Sequence, residues 1–439
     1  METIDSLLCG RWVVPVVPAG ALEHHAVAVH QGRIKAVLPT AEAEARFRPH
    51  TRRDLPDHLL LPGLINAHTH AAMVLMRGMA DDLPLMTWLQ DHIWPVEGRF
   101  VSPQFVADGV RLAAAELLRG GVTCFNDMYF FPEVTANVAR EVGIRACVGL
   151  IVIDIPTPMA GSFDEHVAKN LELRQALQGD PLIRLTWAPH APYTVSRPHL
   201  ERVAALAAEH QLPVHIHVHE TAFEVEQMVA HHGLRPLALL DEVGLVGPAL
   251  QAVHMTQLTD GEIQRLAEAK GHVLHCPEAN LKLASGFCPL ARLLAAGVNV
   301  ALGTDGAASN NDLDVLGEMR TAALVAKGLA GDASAVNAQQ ALELVTLNTA
   351  RALGMADELG SLEVGKWADI TAVALATPET EPVYHPVSQL VYATPRTQVT
   401  DVWVAGEAKL ENRQLTSLSL EPVLAAARRW RERLASGGA

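Results

Sequence analysis

Between residues 60 and 305 the chain repeats one pattern, a short apolar run that ends in polar residues and then a longer segment with helical periodicity. Eight such runs can be counted, at residues 59–67, 122–128, 146–153, 183–190, 213–219, 250–255, 272–276 and 298–305. Eight strand and helix units in succession predict an α/β fold, the (β/α)8 TIM barrel. The functional residues of such a barrel lie at the carboxyl ends of its strands.

The two ends of the chain are patterned differently. Residues 1–58 and 360–415 carry period-two apolar runs interrupted by turn residues, as in residues 26–30 (AVAVH) before Gln31-Gly32. Neither flank is long enough to build a sizeable core alone. We therefore expect the flanks to form one composite β-sandwich beside a barrel of residues 59–359, followed by a C-terminal helix within residues 416–439.

Composition limits the partners. The 439 residues include 34 Lys and Arg against 49 Asp and Glu, a net charge of −15, which argues against nucleic acid and anionic membranes and favours a small-molecule substrate. The acidic start and the lack of a run of about 18 apolar residues predict a cytoplasmic protein. Five scattered cysteines without a C-x-x-C pair indicate neither a disulfide framework nor a thiolate zinc site.

Histidines mark a metal site. His68 and His70 share one face at the end of the first predicted strand, His217 lies near the end of the fifth, and Asp305 ends the eighth. Three imidazole nitrogens and one carboxylate suit one zinc ion, with iron or manganese as alternatives. A coordination position stays open for water, so the pattern predicts a catalytic site.

The fifth strand offers three histidines on one face, and they cannot all be ligands because they span about 13 Å. We choose His217 because it lies near the strand end, whereas His215 would sit deeper and His219 at the rim. Glu220 follows where the chain turns, and this is the position for a general acid or base.

Two further histidines end strands. His190 ends the fourth and His254 the sixth, so both are predicted to line the same opening, although each could be a satisfied core histidine. Residues 183–190 contain no lysine that could bridge two metals, which favours one metal.

Four motifs carry a family resemblance, PGLINAHTH at 62–70, HVHETA at 217–222, NLKLASG at 280–286 and GTDGAASNN at 303–311. They resemble the amidohydrolase superfamily, in its branch of triazine hydrolases and adenosine-type deaminases. The resemblance runs from about residue 5 to 412 and is strongest to the 5′-methylthioadenosine/S-adenosylhomocysteine deaminases.

This resemblance implies zinc-dependent hydrolytic deamination at C6 of the purine, giving the inosine product and ammonia. Asp305 would accept a proton from the attacking water, His254 would orient or stabilise the developing hydroxide, and Glu220 would protonate ring nitrogen N1. The resemblance also implies a homo-oligomer, a dimer or tetramer.

Substrate residues are carried over in the same way. Glu97 matches the glutamate that binds the ribose hydroxyls, although alone it could be a solvated rim charge, and His190 matches the histidine that contacts the base. Trp88 is expected to supply an apolar wall and Ser309 to lie at the pocket rim. The roles of His219, Glu278 and Ser309 stay open.

The chain departs from the family at one place. Homologues that hold the homocysteine carboxylate use arginines around the third strand, but Arg145 is the only arginine from 141 to 173, and residues 153–159 (IDIPTPM) are apolar and rich in proline. We therefore rank 5′-methylthioadenosine above S-adenosylhomocysteine, with adenosine as a further substrate.

Two other functions compete with this interpretation. The first is another enzyme of the same branch, a triazine or ethylammeline hydrolase or a guanine, 8-oxoguanine or cytosine deaminase. The second belongs to a different class, a non-catalytic barrel module, whose signature would be the loss of a metal ligand or of Glu220.

Overall fold

Sixteen strands in two sheets of eight are present in residues 1–436, the part of the chain that the computed structural model describes. Four strands come first, β1 (Glu2–Val13), β2 (Leu22–His30), β3 (Arg33–Pro39) and β4 (Phe47–Pro62). Eight follow, β5 (Leu64–Thr69), β6 (Val122–Asp127), β7 (Arg145–Val152), β8 (Ile183–Pro189), β9 (Val214–Val218), β10 (Leu250–His254), β11 (His272–His275) and β12 (Asn299–Leu302). The last four are β13 (Ile370–Ala374), β14 (Val399–Val404), β15 (Glu407–Glu411) and β16 (Gln414–Leu415).

Strands β5 to β12 form the barrel, and their order in the sheet follows their order in the chain. The pairs from β7 to β12 are parallel, as in a (β/α)8 barrel. The ring closes where the backbone N–H of Asp305 donates to the carbonyl of His68 at 3.0 Å. This contact leaves no room for a side chain at Gly303, where a Cβ would lie 2.5 Å from the backbone nitrogen of His68.

The other sheet is mixed and is built from both ends of the chain, in the order β16-β15-β14-β13-β4-β1-β2-β3. The turn pair between β2 and β3 has a positive φ at both positions, 51° at Gln31 and 72° at Gly32, as a two-residue hairpin requires. The expectation of a TIM barrel with a separate β unit from the two flanks is therefore confirmed.

Helices connect most of the strands. They are α1 (Thr40–Arg46), α2 (Leu85–Thr87), α3 (Trp94–Phe100), α4 (Pro103–Arg119), α5 (Pro132–Val142), α6 (Phe163–Ala176), α7 (Arg197–His210), α8 (Ala222–His232), α9 (Pro236–Glu242), α10 (Asp260–Ala269), α11 (Pro277–Lys282), α12 (Leu290–Ala295), α13 (Val315–Ala330), α14 (Ala338–Leu344), α15 (Leu347–Ala352), α16 (Pro386–Tyr392) and α17 (Leu420–Ser436). A π-helical turn (Trp88–Ile93) separates α2 from α3, and 3₁₀ turns cover Ala71–Met76 and Arg396–Gln398. Across residues 1–436 none of these helices is both long enough and apolar enough to cross a membrane.

The chain divides into two units. The first comprises residues 1–66, 115–124 and 314–419, and the second comprises residues 67–114, 125–313 and those from 420 onward. The domain boundaries expected from the sequence stay a prediction.

One predicted strand begins too early. The apolar run 59–67 was expected to be one barrel strand, but Leu59–Pro62 ends β4 and pairs with β13, and the barrel strand begins only at Leu64. Both pieces are buried, so apolar character continues across the Pro62-Gly63 break and does not show where one sheet ends.

Candidate metal centre and active site

Side chains from three barrel strands converge at the carboxyl end of the barrel. Asp305 Oδ1 lies 3.3 Å from Nε2 of His68 and 3.3 Å from Nε2 of His70. His217 Nε2 lies 3.3 Å from His68 Nε2. Ligand atoms at zinc distances of about 2.0–2.2 Å in a tetrahedron lie about 3.3–3.6 Å from one another. The four side chains therefore fit a divalent cation.

The protons on the histidines agree with this fit. Three Nδ1–H groups donate to oxygen atoms, His70 to Met128 O at 2.5 Å, His217 to His190 O at 2.7 Å and His254 to Asn280 Oδ1 at 2.9 Å. When these rings are neutral, their Nε2 lone pairs are thus directed into the site. Several lone pairs and a carboxylate aimed at one point repel each other unless a cation lies between them.

The pKa values of the candidate ligands reflect both burial and the Asp305 carboxylate. Burial lowers the pKa of His68 to about 4. Burial also opposes the His70 cation, but the Asp305 carboxylate outweighs it and raises the pKa of His70 to about 9. Although burial alone would raise the pKa of Asp305, hydrogen bonds from these two histidines hold it well below its usual range.

His254 lies close enough to belong to the same cluster. Its ligand nitrogen and those of His68 and His217 lie within 4.8 Å of one another. His254 Nε2 also lies 3.7 Å from Glu220 Oε2. This histidine thus lies near both the candidate metal ligands and the candidate acid or base, and its role stays a prediction.

Glu220 is buried at the turn after β9. Burial raises the pKa of its carboxyl, which faces Ser285 Oγ at 3.5 Å as well as His254. A raised pKa favours the protonated form of this carboxyl, which is the form that a general acid needs.

The backbone around Glu220 is held from two sides. Glu224 accepts the N–H of His219 on Oε1 at 3.1 Å and the N–H of Glu220 on Oε2 at 2.7 Å. The Thr256 hydroxyl donates to the carbonyl of Glu220 at 2.7 Å. We refer to Glu224 and Thr256 as the 219–220 clamp.

A cavity of about 240 Å³ opens in front of these groups. The sequence-predicted residues that line it are His70, Trp88, Glu97, His190, His217, Glu220, His254, Asp305 and Ser309. His68 lies behind them and is fully buried. The structure therefore brings together every residue that the sequence placed in the site, while their chemical roles stay predictions.

Glu97 is a buried wall residue of the cavity and not a solvated rim charge. It projects from α3, is 9% exposed and accepts a hydrogen bond from the Tyr129 hydroxyl at 2.7 Å. Burial raises the pKa of Glu97 to about 7, against the lowering effect of Tyr129 and His70.

The other predicted substrate residues occupy distinct positions. Trp88 begins the π-helical turn and lines the cavity, and its buried indole N–H has no hydrogen-bond partner among residues 1–436. His190 bonds through Nδ1 to Thr194 Oγ1 at 2.8 Å. The Ser309 hydroxyl donates to Asp305 Oδ2 at 2.6 Å and so contacts a candidate metal ligand.

Two of the three residues of open role, His219 and Glu278, lie outside the cavity lining. His219 is fully buried, accepts the N–H of Leu237 on Nε2 at 3.0 Å and bonds through Nδ1 to Gln257 O at 3.1 Å, which ties two loops together. Glu278 lies in the first turn of α11, where a carboxylate stabilises the helix start.

Sequence reasoning missed several residues that support the site. Tyr129, Asn280 and Thr256 are far along the chain from the groups that they hold, whereas Glu224 is only four and five residues away. Glu224 alone left a signal, because a glutamate three residues after Thr221 at a helix start is typical of a capping motif. Here the Glu224 side chain accepts the two N–H groups just before that cap.

The sequence profile of the Amidohydrolase family matches residues 59–409 of the chain. A 5-methylthioadenosine/S-adenosylhomocysteine deaminase from Teredinibacter turnerae is 48% identical over 98% of both chains. A protein of the same name from Aquifex aeolicus is 38% identical over 93% of this chain and 94% of its own.

Solved structures agree with the fold. The crystal structure of an adenosine deaminase from Xanthomonas campestris with bound zinc is 55% identical, with a TM-score of 0.98 over 99% of both chains. The atrazine chlorohydrolase TrzN from Arthrobacter aurescens, complexed with zinc, is 24% identical and has a TM-score of 0.89 over 97% of this chain and 100% of its own. The latter likeness shows the fold alone.

Proposed function

The chain belongs to the amidohydrolase family, and from this premise we propose that it is a zinc-dependent deaminase of 5′-methylthioadenosine. The family makes it a metal-dependent hydrolase of C–N bonds. The observation that carries the substrate proposal is that one cavity is lined by three candidate metal ligands, His70, His217 and Asp305, and by the buried carboxyls of Glu220 and Glu97. S-adenosylhomocysteine and adenosine are proposed as further substrates.

Zinc would be held by His68, His70, His217 and Asp305. A bound zinc ion acidifies water, so that hydroxide is available near neutral pH. Asp305 accepts the proton released by the attacking water on its carboxylate. The Nδ1–H of His254 donates to Asn280 Oδ1, so the Nε2 lone pair of His254 faces the water and orients that water.

Glu220 delivers a proton to ring nitrogen N1 while the water oxygen bonds to C6. The C6 carbon becomes tetrahedral, and its amino group then takes the proton held by Asp305 and leaves as ammonia, while the C6 hydroxyl proton returns to Glu220. The 6-oxo product is the corresponding inosine. The 219–220 clamp fixes the backbone of Glu220. The carboxyl group of Glu220 is therefore held in position to donate its proton to N1.

Glu97 binds the ribose. A vicinal diol can donate two hydrogen bonds to one carboxylate, and the Tyr129 hydroxyl leaves acceptor positions on Glu97 free for it. Burial in an apolar wall strengthens such hydrogen bonds because water competes less.

The wall beyond Glu97 suits a thioether better than a zwitterion. It includes Ile153, Ile155, Pro156 and Pro158. Among the described residues, the cavity lining contains no lysine or arginine that could pair with an amino-acid carboxylate. This supports 5′-methylthioadenosine as the preferred substrate.

The test is ammonia release from 5′-methylthioadenosine, S-adenosylhomocysteine, adenosine, guanine and a chlorotriazine by the zinc-loaded protein. We expect the highest kcat/KM with 5′-methylthioadenosine. Glu220→Gln should lower kcat at least about 10²-fold because it removes the proton donor. Glu226→Gln, at an exposed position on helix α8, which follows Glu220, is the matched control. If only guanine or the chlorotriazine is turned over, the protein has another activity of the family.

A further inference from the structure

The Nδ1 atoms of the site histidines have different kinds of partner. In His70, His217 and His254 the partner is an oxygen, which can only accept. In His68 the partner is another imidazole nitrogen, His215 Nε2, at 2.8 Å. An imidazole nitrogen can donate or accept, so the proton position on His68 depends on His215.

We propose that His215 is a positioning residue for the metal site, which accepts the Nδ1 proton of His68 on its own Nε2. A neutral histidine that binds a metal through Nε2 must carry its proton on Nδ1. His215 Nε2 must then be the acceptor, and its proton must lie on Nδ1. This inference rests on the proposed function, because it requires a metal on His68.

The surroundings of His215 support this assignment. The side chain is fully buried in the barrel, directly behind His68, with their rings at 86° and 4.9 Å apart. His215 Nδ1 has no hydrogen-bond partner among residues 1–436. The bond to His68 is thus the polar contact that this imidazole makes in a barrel interior where an apolar side chain would otherwise pack.

The strand explains how one residue reaches the back of another. His215 and His217 are two residues apart on β9 and share a face. His217 meets His68 at Nε2, on the metal side, whereas His215 meets it at Nδ1, on the opposite side of the ring. Adjacent inward positions of one strand therefore provide one candidate ligand and the group that orients another.

The test is zinc affinity, measured on metal-free protein by competition with a chromophoric chelator. His215→Phe fills the space without an acceptor, and we expect its affinity to fall about 10–100-fold, as is typical when a partner of a metal ligand is lost. His215→Gln offers a carbonyl acceptor at a similar reach and should stay within about threefold of the unaltered protein. Thermal unfolding of each metal-free variant shows whether it is folded.

His166→Phe is the matched control, because His166 is also fully buried with an unpartnered Nδ1 but lies away from the metal site. It should leave zinc affinity unchanged whatever its effect on stability. Equal affinities for His215→Phe and the unaltered protein would overturn the inference. So would an equal loss in His215→Gln and His215→Phe.

A second measurement requires no folded variant at this position. In the zinc-loaded protein with ¹⁵N-labelled histidine, two-bond proton–nitrogen correlations report which ring nitrogen carries each proton. We expect protons on Nδ1 of both His68 and His215. A proton on His215 Nε2 would contradict the inference while leaving the proposed function intact. Failure of the unaltered protein to bind zinc would overturn both.

Discussion

At the scale of single residues, the candidate site depends on strained backbone. His219, His254 and Asp305 have φ values of 56°, 75° and 60°, in the left-handed region that non-glycine residues rarely adopt. All three lie at or just beyond the end of a barrel strand. Such a conformation persists only when neighbouring contacts hold it, and at His219 those contacts are the 219–220 clamp.

Glu224→Gln should therefore reduce catalysis through Glu220. The glutamine would turn an NH₂ group towards one of the two backbone N–H donors and so shift the Glu220 side chain. This displacement of the proton donor should lower kcat by up to about 10²-fold with little change in KM. The measurement is steady-state kinetics with 5′-methylthioadenosine, with Glu226→Gln as control. An unchanged kcat would show that the clamp is dispensable.

Glu97 predicts a pH dependence of substrate binding. Burial raises its pKa to about 7, so it is largely protonated at pH 6 and gains its second full acceptor as the pH rises through 7. KM for 5′-methylthioadenosine should therefore fall between pH 6 and 8. In Glu97→Gln, KM should be higher and flat over this range. A pH-dependent KM that persists in Glu97→Gln would assign the titration to another group.

The raised pKa of Glu97 also makes the free energy of unfolding depend on pH. The folded state holds a proton that the unfolded chain releases near the ordinary value of 4.5, so this carboxyl contributes stability at low pH that is lost as the pH rises from 4.5 to about 7.

At the scale of elements, strand ends were predictable because apolar runs and the polar residues after them are local in the sequence. The segment 213–219 became β9, with His217 facing the cavity and His215 deeper, as its period of two required. The prediction that the first barrel strand begins at residue 59 was wrong because two buried strands of different sheets are adjacent in the chain. Tyr129 on Glu97 was not predictable, since that contact joins a strand end to a helix.

The apolar residues 153–159, which follow β7, should determine which 5′ substituent the enzyme accepts on its substrate. Asp154 fixes this stretch, because it accepts the N–H of Ser196 at 2.9 Å and bonds to His199 at 2.7 Å. Ile155 lines the cavity and is 46% exposed, so a longer polar side chain fits there. Ile155→Arg should raise kcat/KM for S-adenosylhomocysteine relative to 5′-methylthioadenosine by about 10-fold or more, through a charged hydrogen bond to the carboxylate.

The matched control is Ile155→Gln, which adds polarity without charge. If both variants change the ratio equally, charge at this position does not select the tail.

At the scale of the whole molecule, metal binding should stabilise the fold. The ligands come from β5, β9 and the end of β12, so an ion that binds only the folded chain adds stability across the barrel. Zinc at 100 times its Kd contributes about 2.7 kcal/mol, which raises Tm by roughly 3 °C for a chain of this length. Thermal unfolding with and without a chelator measures this shift, and Asp305→Asn should reduce it. Identical Tm values would contradict a metal held by these residues.

The most direct test of the account is product formation from 5′-methylthioadenosine by the same preparation before chelation, after chelation and after zinc is restored. We predict one ammonia per 6-oxo nucleoside formed, loss of both products with the metal, and recovery in proportion to the zinc bound. Full activity in the metal-free protein, or no ammonia from any 6-aminopurine nucleoside with zinc bound, would contradict it.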